Sequence, residues 1–337
     1  MKPATLTLMA RASRLRQPPL FAATPATPEG AAEHPWYRAC RDHVTKRGVR
    51  VALTRIWNAL GQLLPESSEQ FVDQFRRDFP QRSWELYVLA WLARSGSTVE
   101  RSPGTGPDFC AKHPHIGRFW VECIVPTVGT GANQVWERDD NIRVWSGQPD
   151  EPLALRYTAA VQAKIAKITS YRARNIVAPT EPVIVALNQG AIRDSDLHDV
   201  ELPLAMMVLY GIGNTVLRID PYAHTSEVEV QSRVEIKNRS GSPVSGVIFA
   251  EPASAVIAGV TIARTNVFNL FLGRRRKLLM AHNPSATAPV PVGALPWRGE
   301  VWVGDGRRLV HRGVVSEYGP FARYSRRRPR SAAALVP

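Results

Sequence analysis

The chain has 337 residues, of which 43 are lysine or arginine and 29 are aspartate or glutamate, so its net charge is +14. This length suffices for one large domain or two small ones. No apolar run approaches the roughly 20 residues that a membrane-spanning helix needs, so we expect no membrane partner. The excess of positive charge favours a polyanionic partner such as nucleic acid.

The cysteine content argues against a disulfide framework and against a zinc module. Cys40, Cys110 and Cys123 are the three cysteines, and no Cys-x-x-Cys pair occurs. Residues 1–30 lack the apolar segment of a secretory signal, and their prolines oppose the amphipathic helix of a mitochondrial presequence. We therefore expect a reducing compartment and place the protein in the cytoplasm.

The N-terminal part of the chain has a helical pattern. Apolar residues recur at helical intervals within 35–64. Residues 67–70 resemble a capping box and predict a second helix. We expect Pro80 to end that helix and Ser83 to cap the next one, which Gly96 closes.

The middle of the chain predicts the order helix, strand, strand, strand, helix, strand. A hairpin turn is expected at 113–117, and His113 and His115 within it are interpreted as surface residues rather than metal ligands. A long helix is predicted over 151–175. The strands are predicted in STVERS, PDFCAKH, RFWVECIVPT and EPVIVALNQG.

From Pro203 onward the sequence predicts a β-rich region. Its predicted strands are AMMVLYGIG, EVEVQSRVEI, SGVIFA, SAVIAGVTIA and EVWVG. No clean linker precedes them, so they can extend the first sheet. The predicted division is a disordered tail (1–34), a helical segment (35–82), a core (83–190), a β-rich extension (191–322) and a basic tail (323–337).

Glu122 interrupts a strand that is otherwise apolar on both faces. Alternation places Phe119, Val121 and Cys123 on one face, and Trp120 and Glu122 on the other. An unpaired buried carboxylate costs several kcal/mol or becomes protonated. We therefore expect a cation or another specific partner beside Glu122.

Two more carboxylates point to the same region. Glu85 lies on the helix face of Val88, Leu89 and Leu92, and Asp108 begins a strand after a Gly-Pro turn. Oxygen ligands of this kind favour Mg²⁺ or Mn²⁺, which can activate water for phosphodiester hydrolysis. The alternative is structural, with the acids paired to arginine, capping a turn or stabilised by the helix dipole.

These residues resemble the PD-(D/E)xK nuclease superfamily, which has the restriction-endonuclease-like fold. The resemblance covers 83–190, through Glu85, Pro107-Asp108 and Glu122-Cys123-Ile124. It implies an α/β fold with an αβββαβ core and a mixed sheet, Mg²⁺ or Mn²⁺ held by Asp108 and Glu122, and a nuclease acting on DNA. Glu85 is implied as a further catalytic residue.

One position departs from the family pattern. Ile124 stands where the family has its lysine, which orients water and steadies the developing charge. The lysine is therefore missing or has migrated to the next helix, as in some family members. Lys164 borders the apolar stripe of that helix and is the preferred candidate, while Lys167 and Arg156 lie farther out.

The remaining basic residues are interpreted as contacts to phosphate. We expect nucleic-acid contacts from Arg156, Lys167, Arg274, Arg275 and Arg276. DNA is the expected partner, and a homodimer would suit cleavage of both strands. The alternative function, which Ile124 favours, is a catalytically inactive nuclease-fold protein that binds nucleic acid or another partner.

Overall fold

The computed structural model describes residues 17–21, 33–102, 104–135, 150–192, 202–220, 225–271, 278–304, 308–313 and 331–334. Within these ranges the chain forms a mixed α/β fold with seven α-helices, a nine-stranded sheet and two separate two-stranded ribbons. No helix in the described part of the chain is long and apolar enough to cross a membrane.

Four of the α-helices precede the first strand in the chain, and the other three lie between later strands. The helices are α1 (Pro35–Asp42), α2 (Arg47–Leu60), α3 (Ser68–Arg77), α4 (Phe79–Arg94), α5 (Asp150–Ala173), α6 (Leu204–Tyr210) and α7 (Val267–Leu270).

The strands are spread over the chain from residue 98 to residue 334. They are β1 (Thr98–Glu100), β2 (Phe109–His113), β3 (Gly117–Ile124), β4 (Val183–Asn188), β5 (Ile212–Asp220), β6 (Thr225–Ser232), β7 (Glu235–Lys237), β8 (Pro243–Ser245), β9 (Gly259–Ala263), β10 (Leu279–His282), β11 (Gly299–Val303), β12 (Arg308–Gly313) and β13 (Ser331–Ala334).

The large sheet is mixed, and its strand order is β1-β2-β3-β4-β9-β10-β11-β12-β13. The pairs β3–β4, β4–β9 and β10–β11 are parallel, and the other pairs are antiparallel. Strands β9 to β13 therefore continue the sheet that β1 to β4 begin. The ribbons β5–β6 and β7–β8 lie outside this sheet.

The predicted element order of residues 83–190 is confirmed, since α4, β1, β2, β3, α5 and β4 follow one another in the chain. The predicted cap at Ser67 is also confirmed, because its Oγ accepts from the Gln70 amide at 3.2 Å. The helix boundary predicted between Pro80 and Ser83 is wrong. Helix α4 begins at Phe79 with Pro80 in its first turn, where proline costs no hydrogen bond.

The β-rich prediction beyond Pro203 is only partly correct. AMMVLY lies in α6 instead of a strand, and Gly211, with φ of 71°, ends that helix in the left-handed conformation. Short apolar runs fit a buried helix as well as a buried strand. The segment predicted as a strand around Ile248 forms a 3₁₀ turn. Strands β10, β12 and β13 and most of β5 were not predicted.

Apolar side chains cover both faces of the central strands. On one face, Phe119, Val121 and Cys123 pack into a core with α1 to α4. On the other face, Trp120 packs with α5 and α6. The alternation predicted for β3 is thus confirmed. Part of the predicted N-terminal tail joins the first core, since Leu20 is buried.

Candidate functional site

Strand β3 passes through the centre of the candidate site, between β2 and β4. Helix α4 contributes to the core on one face of β3, and helix α5 contributes to the core on the other face. Glu122 lies on the α5 face and has no solvent exposure. A fully buried carboxylate needs compensating charges or hydrogen bonds, and its surroundings provide both.

Two lysines from α5 contact the Glu122 carboxylate. Nζ of Lys164 lies 2.8 Å and Nζ of Lys167 lies 2.7 Å from the same atom, Oε1 of Glu122. The other oxygen, Oε2, accepts from the backbone amide of Asp108 at 3.3 Å. The expected cationic partner of Glu122 is therefore an ammonium pair in the described part of the chain.

The two lysines differ in their exposure to solvent. Lys164 exposes 13% of its side chain and Lys167 exposes 47%. Their helix presents Val161, Ile165 and Ile168 to the core, and a lysine beside that stripe can reach a buried strand. Burial lowers the pKa of Lys167, but the hydrogen bond from Lys167 to Glu122 and the charge of Glu122 outweigh burial and raise it.

Asp108 lies just before β2 and reaches across to β3. Its Oδ2 accepts from the Cys123 amide at 2.6 Å, which fixes the carboxylate at the β3 backbone. Burial and the negative charge of Glu122 raise the pKa of Asp108 to about 6, against the opposing effects of Lys164 and the Cys123 amide. Asp108 and Glu122 are therefore electrostatically coupled neighbours.

Glu85 approaches from α4 on the opposite face. Its Oε1 accepts from Nε2 of Gln81 at 2.9 Å, and its Oε2 lies 2.7 Å from Nη1 of Arg82. Burial and the charge of Asp108 raise the pKa of Glu85 to about 8, although Arg82 and Gln81 oppose this. The arginine pairing supports a structural role for Glu85 beside any catalytic one.

Cys123 lies among all three carboxylates. Burial, followed by the charges of Asp108, Glu85 and Glu122, raises the pKa of its thiol well above the ordinary value. The thiol thus stays protonated and packs as a small apolar group in the core. Asp108 accepts from the Cys123 amide, and Glu122 is the preceding residue. Gln81 donates to both Glu85 and the Cys123 carbonyl, so the three predicted acidic residues gather around β3.

A metal ion could be bound by only some of these three acidic side chains. Among the residues that the structure describes, no three His, Cys, Asp or Glu side chains are arranged to hold a metal ion. Asp108 and Glu122 offer oxygen donors, and Mg²⁺ often takes one or two protein carboxylates together with water. Oε1 of Glu122 is shared with Lys164 and Lys167, so a cation would have to compete with these ammonium groups.

The residues predicted to contact phosphate do not all lie at the site. Nε of Arg156 donates to the carbonyl of Thr127 at 2.9 Å, which ties α5 to the segment after β3. Arg274, Arg275 and Arg276 lie outside the described residues. His113, predicted at the surface, is buried, and this prediction is wrong, whereas His115 is exposed.

Gln81 and Arg82 were missed by the sequence reasoning. Oε1 of Gln81 accepts from the Val125 amide at 2.9 Å, and its Nε2 donates to the Cys123 carbonyl at 3.3 Å. Arg82 bridges Glu85 to Glu66, with Nη1 at 2.8 Å from the latter. Their spacing from Glu85 could have indicated both residues. Arg82 and Gln81 lie three and four positions before Glu85, and they share its helix face because α4 begins at Phe79.

Comparison of the chain with protein-family models, with curated proteins and with solved structures gave no match.

Proposed function

We propose that this protein is a metal-dependent nuclease that hydrolyses phosphodiester bonds in DNA, with a restriction-endonuclease-like αβββαβ core over 83–190. The observation that carries the proposal is the contact of 2.8 Å between Nζ of Lys164 and Oε1 of Glu122. Lys164 on α5 therefore contacts Glu122 on β3. Strand β3 itself has Ile124 at the position where the nuclease superfamily has its lysine.

Asp108 and Glu122 are the residues that would hold Mg²⁺ or Mn²⁺. They are adjacent and present oxygen donors, and burial together with their mutual repulsion raises the pKa of Asp108. A divalent cation between them would relieve that repulsion. When bound, such an ion supplies Lewis-acid polarisation of a phosphate and activation of water.

Lys164 and Glu85 have distinct roles in the proposal. The ammonium of Lys164 would orient the attacking water and steady the negative charge that develops on the phosphate. Glu85 would serve as a further ligand or water-holder, and burial raises its pKa to about 8. Its contacts with Gln81 and Arg82 hold it in place from α4.

Basic residues around the core would bind the DNA backbone. Lys167 exposes nearly half of its side chain on α5 and could exchange its contact with Glu122 for a phosphate. Arg156 and the cluster at 274–276 are proposed as further phosphate contacts. The net charge of +14 supports a polyanionic partner, and a homodimer would allow both strands to be cut.

A second candidate function is a nuclease-fold module that binds nucleic acid without cleaving it. The observation that favours it is the double contact of Lys164 and Lys167 with one oxygen of Glu122. Two ammonium groups already compensate the buried carboxylate, so the fold does not require a cation at this position.

Calorimetric titration with Mn²⁺ and Mg²⁺ tests the metal site directly. We expect the wild-type protein to bind the ion and Asp108→Asn/Glu122→Gln to lose binding. The matched control, Glu69→Gln/Asp73→Asn, removes two carboxylates from the exposed face of α3 and should bind like wild type.

The outcome separates the two candidate functions. Binding that depends on Asp108 and Glu122, followed by metal-dependent cleavage of linear duplex DNA, supports the nuclease. A wild-type protein that binds neither ion contradicts the nuclease and leaves the nucleic-acid-binding module. Circular dichroism of each variant excludes loss of fold as the cause.

A further inference from the structure

A cavity of about 770 Å³ lies at a second place in the fold, lined by residues of α4, β11, β12, the β2–β3 turn and the loop before β11. Its lining does not include Asp108, Glu122 or Lys164. The cavity is therefore separate from the candidate nuclease site, and ligand binding there does not require nuclease activity. Its volume falls in the range of sites that bind small molecules, about 300–1,000 Å³.

The floor of the cavity is part of the core. The indole of Trp297 stacks on that of Trp91, with ring centroids 4.5 Å apart and an interplanar angle of 24°. Trp297 and Leu295 are both buried and pack with α4 in the first core. The loop that carries them is thus anchored, and the cavity is a formed feature of the fold instead of a gap beneath a loose segment.

The rim of the cavity is positively charged. Three arginines from separate parts of the chain belong to the lining: Arg94 ends α4, Arg298 directly precedes β11, and Arg312 lies on β12. The Arg94 Nε donates to the Ala90 carbonyl at 3.1 Å, which orients that side chain at the helix end. Guanidinium groups match phosphate oxygens with paired hydrogen bonds.

The acidic residue in the lining, Glu300, has partners inside the protein. Its Oε1 accepts from the Gly293 amide at 2.9 Å and lies 3.2 Å from Nε2 of His282. Glu300 is buried and connects β11 to the preceding loop and to β10. It therefore shapes the cavity, and its charge is partly compensated on the protein side.

Two histidines complete the lining. His113 is buried, its Nδ1 accepts from the His115 amide at 3.3 Å, and it also hydrogen-bonds the Ser95 backbone. These bonds hold the β2–β3 turn against the end of α4. His115 is exposed, with its ring centroid 5.4 Å from that of His113, and is available as a donor to a ligand.

We propose that this cavity binds a phosphate monoester with an organic part of nucleotide size. Arg94, Arg312 and His115 would bind the phosphate, with Arg298 contributing positive charge. The cationic lining favours a dianion over a neutral or cationic ligand. The shared chemistry fits a free mononucleotide and also the terminal phosphate of a nucleic-acid strand.

Calorimetric titration with AMP and with adenosine tests the phosphate requirement. We expect the wild-type protein to bind AMP and not adenosine. Arg94→Ala/Arg312→Ala should weaken AMP binding by about tenfold or more. The charge-matched control, Arg38→Ala/Arg55→Ala, removes two exposed arginines of α1 and α2 and should stay within about twofold of wild type.

A short single strand, with or without a 5′-phosphate, distinguishes the two sources of the phosphate. Tighter binding of the phosphorylated strand than of AMP, lost in Arg94→Ala/Arg312→Ala, would assign the cavity to strand ends. The proposal would be overturned if the wild-type protein bound AMP and adenosine with equal affinity. It would also be overturned if Arg94→Ala/Arg312→Ala bound AMP and the phosphorylated strand as tightly as the control variant does. A wild-type protein that binds neither AMP nor the phosphorylated strand in preference to the unphosphorylated one would overturn it as well.

Discussion

Nζ of Lys164 lies 2.8 Å from Oε1 of Glu122, although the two residues are separated by 42 positions in the chain. Glu122 has no solvent exposure and Lys164 exposes only 13% of its side chain. The contact joins α5 to the central strand β3. It also places a positive charge next to a carboxylate whose burial alone would cost several kcal/mol.

Replacing Lys164 with methionine should destabilise the protein. Methionine keeps most of the side-chain length but leaves Glu122 with Lys167 as its remaining ammonium partner. We expect the free energy of unfolding to fall by about 2 kcal/mol, which is typical when a buried charged group loses a hydrogen bond. Urea denaturation followed by circular dichroism measures this change.

Lys167→Met is the matched comparison. Because Lys167 is half exposed, its contact is screened by water, and its loss should cost less than about 1 kcal/mol. Equal losses for the two variants would show that burial does not distinguish the two ion pairs.

Stability should fall as the pH rises from about 5 to about 8. The folded state raises the pKa of Asp108 to about 6 and that of Glu85 to about 8, so both carboxyls bind protons more tightly when folded than when unfolded. Their favourable contribution is complete below the unfolded pKa values and is lost as the pH passes the folded ones. Thermal melts across this pH window measure the change.

Glu85→Gln isolates the contribution of Glu85 to this pH dependence. The amide mimics the protonated carboxyl, so the variant should lose much of the slope between about pH 6 and 8 and stay close to wild-type stability at the lower end. A wild-type curve that is flat, or that rises with pH, would contradict the raised pKa of Glu85.

If the protein cleaves DNA, Lys164 should be needed for the rate. We expect Lys164→Ala to lower the Mn²⁺-dependent cleavage rate of linear duplex DNA by about 100-fold, as with the loss of one preorganised electrostatic donor. Lys237→Ala, on the exposed edge of β7, is the control and should cleave like wild type. A Lys164→Ala variant that folds and cleaves at the wild-type rate would exclude Lys164 as the replacement lysine.

Trp84→Phe should destabilise the central sheet. Nε1 of Trp84 donates to the Ala186 carbonyl at 2.9 Å, between α4 and β4, in a fully buried setting. Phenylalanine cannot donate and is smaller, so we expect a loss of about 1–3 kcal/mol in urea denaturation. Trp36→Phe, at a partly exposed indole of α1, should cost less. Equal losses would show that the Trp84 hydrogen bond contributes little.

The inward position of Glu122 could be predicted from the sequence because β3 repeats with a period of two residues. One carboxylate among apolar neighbours on both faces implies burial, and the structure gives Glu122 no exposure. The contact of Lys164 with Glu122 could also be predicted, since a helical wheel places Lys164 beside the apolar stripe of α5. These inferences needed only local periodicity.

Other features depend on partners distant in the chain, which periodicity does not reveal. Residues 204–210 are apolar throughout, so their pattern could not distinguish the helix α6 from a strand. Strand β10 is four residues long and is defined by its pairing with β9 and β11. Lys167 reaches Glu122 because a long flexible stem extends past the position that the wheel assigns to it.

The position of β4 has a consequence for the order in which the chain can fold during synthesis. All six residues of β4 are buried, and its second partner, β9, begins at Gly259, after α6 and both ribbons have been made. Until β9 emerges from the ribosome, β4 presents an unpaired apolar edge that other chains can join. A fragment ending soon after β4 should therefore aggregate, although it contains every residue of the segment from α4 to β4.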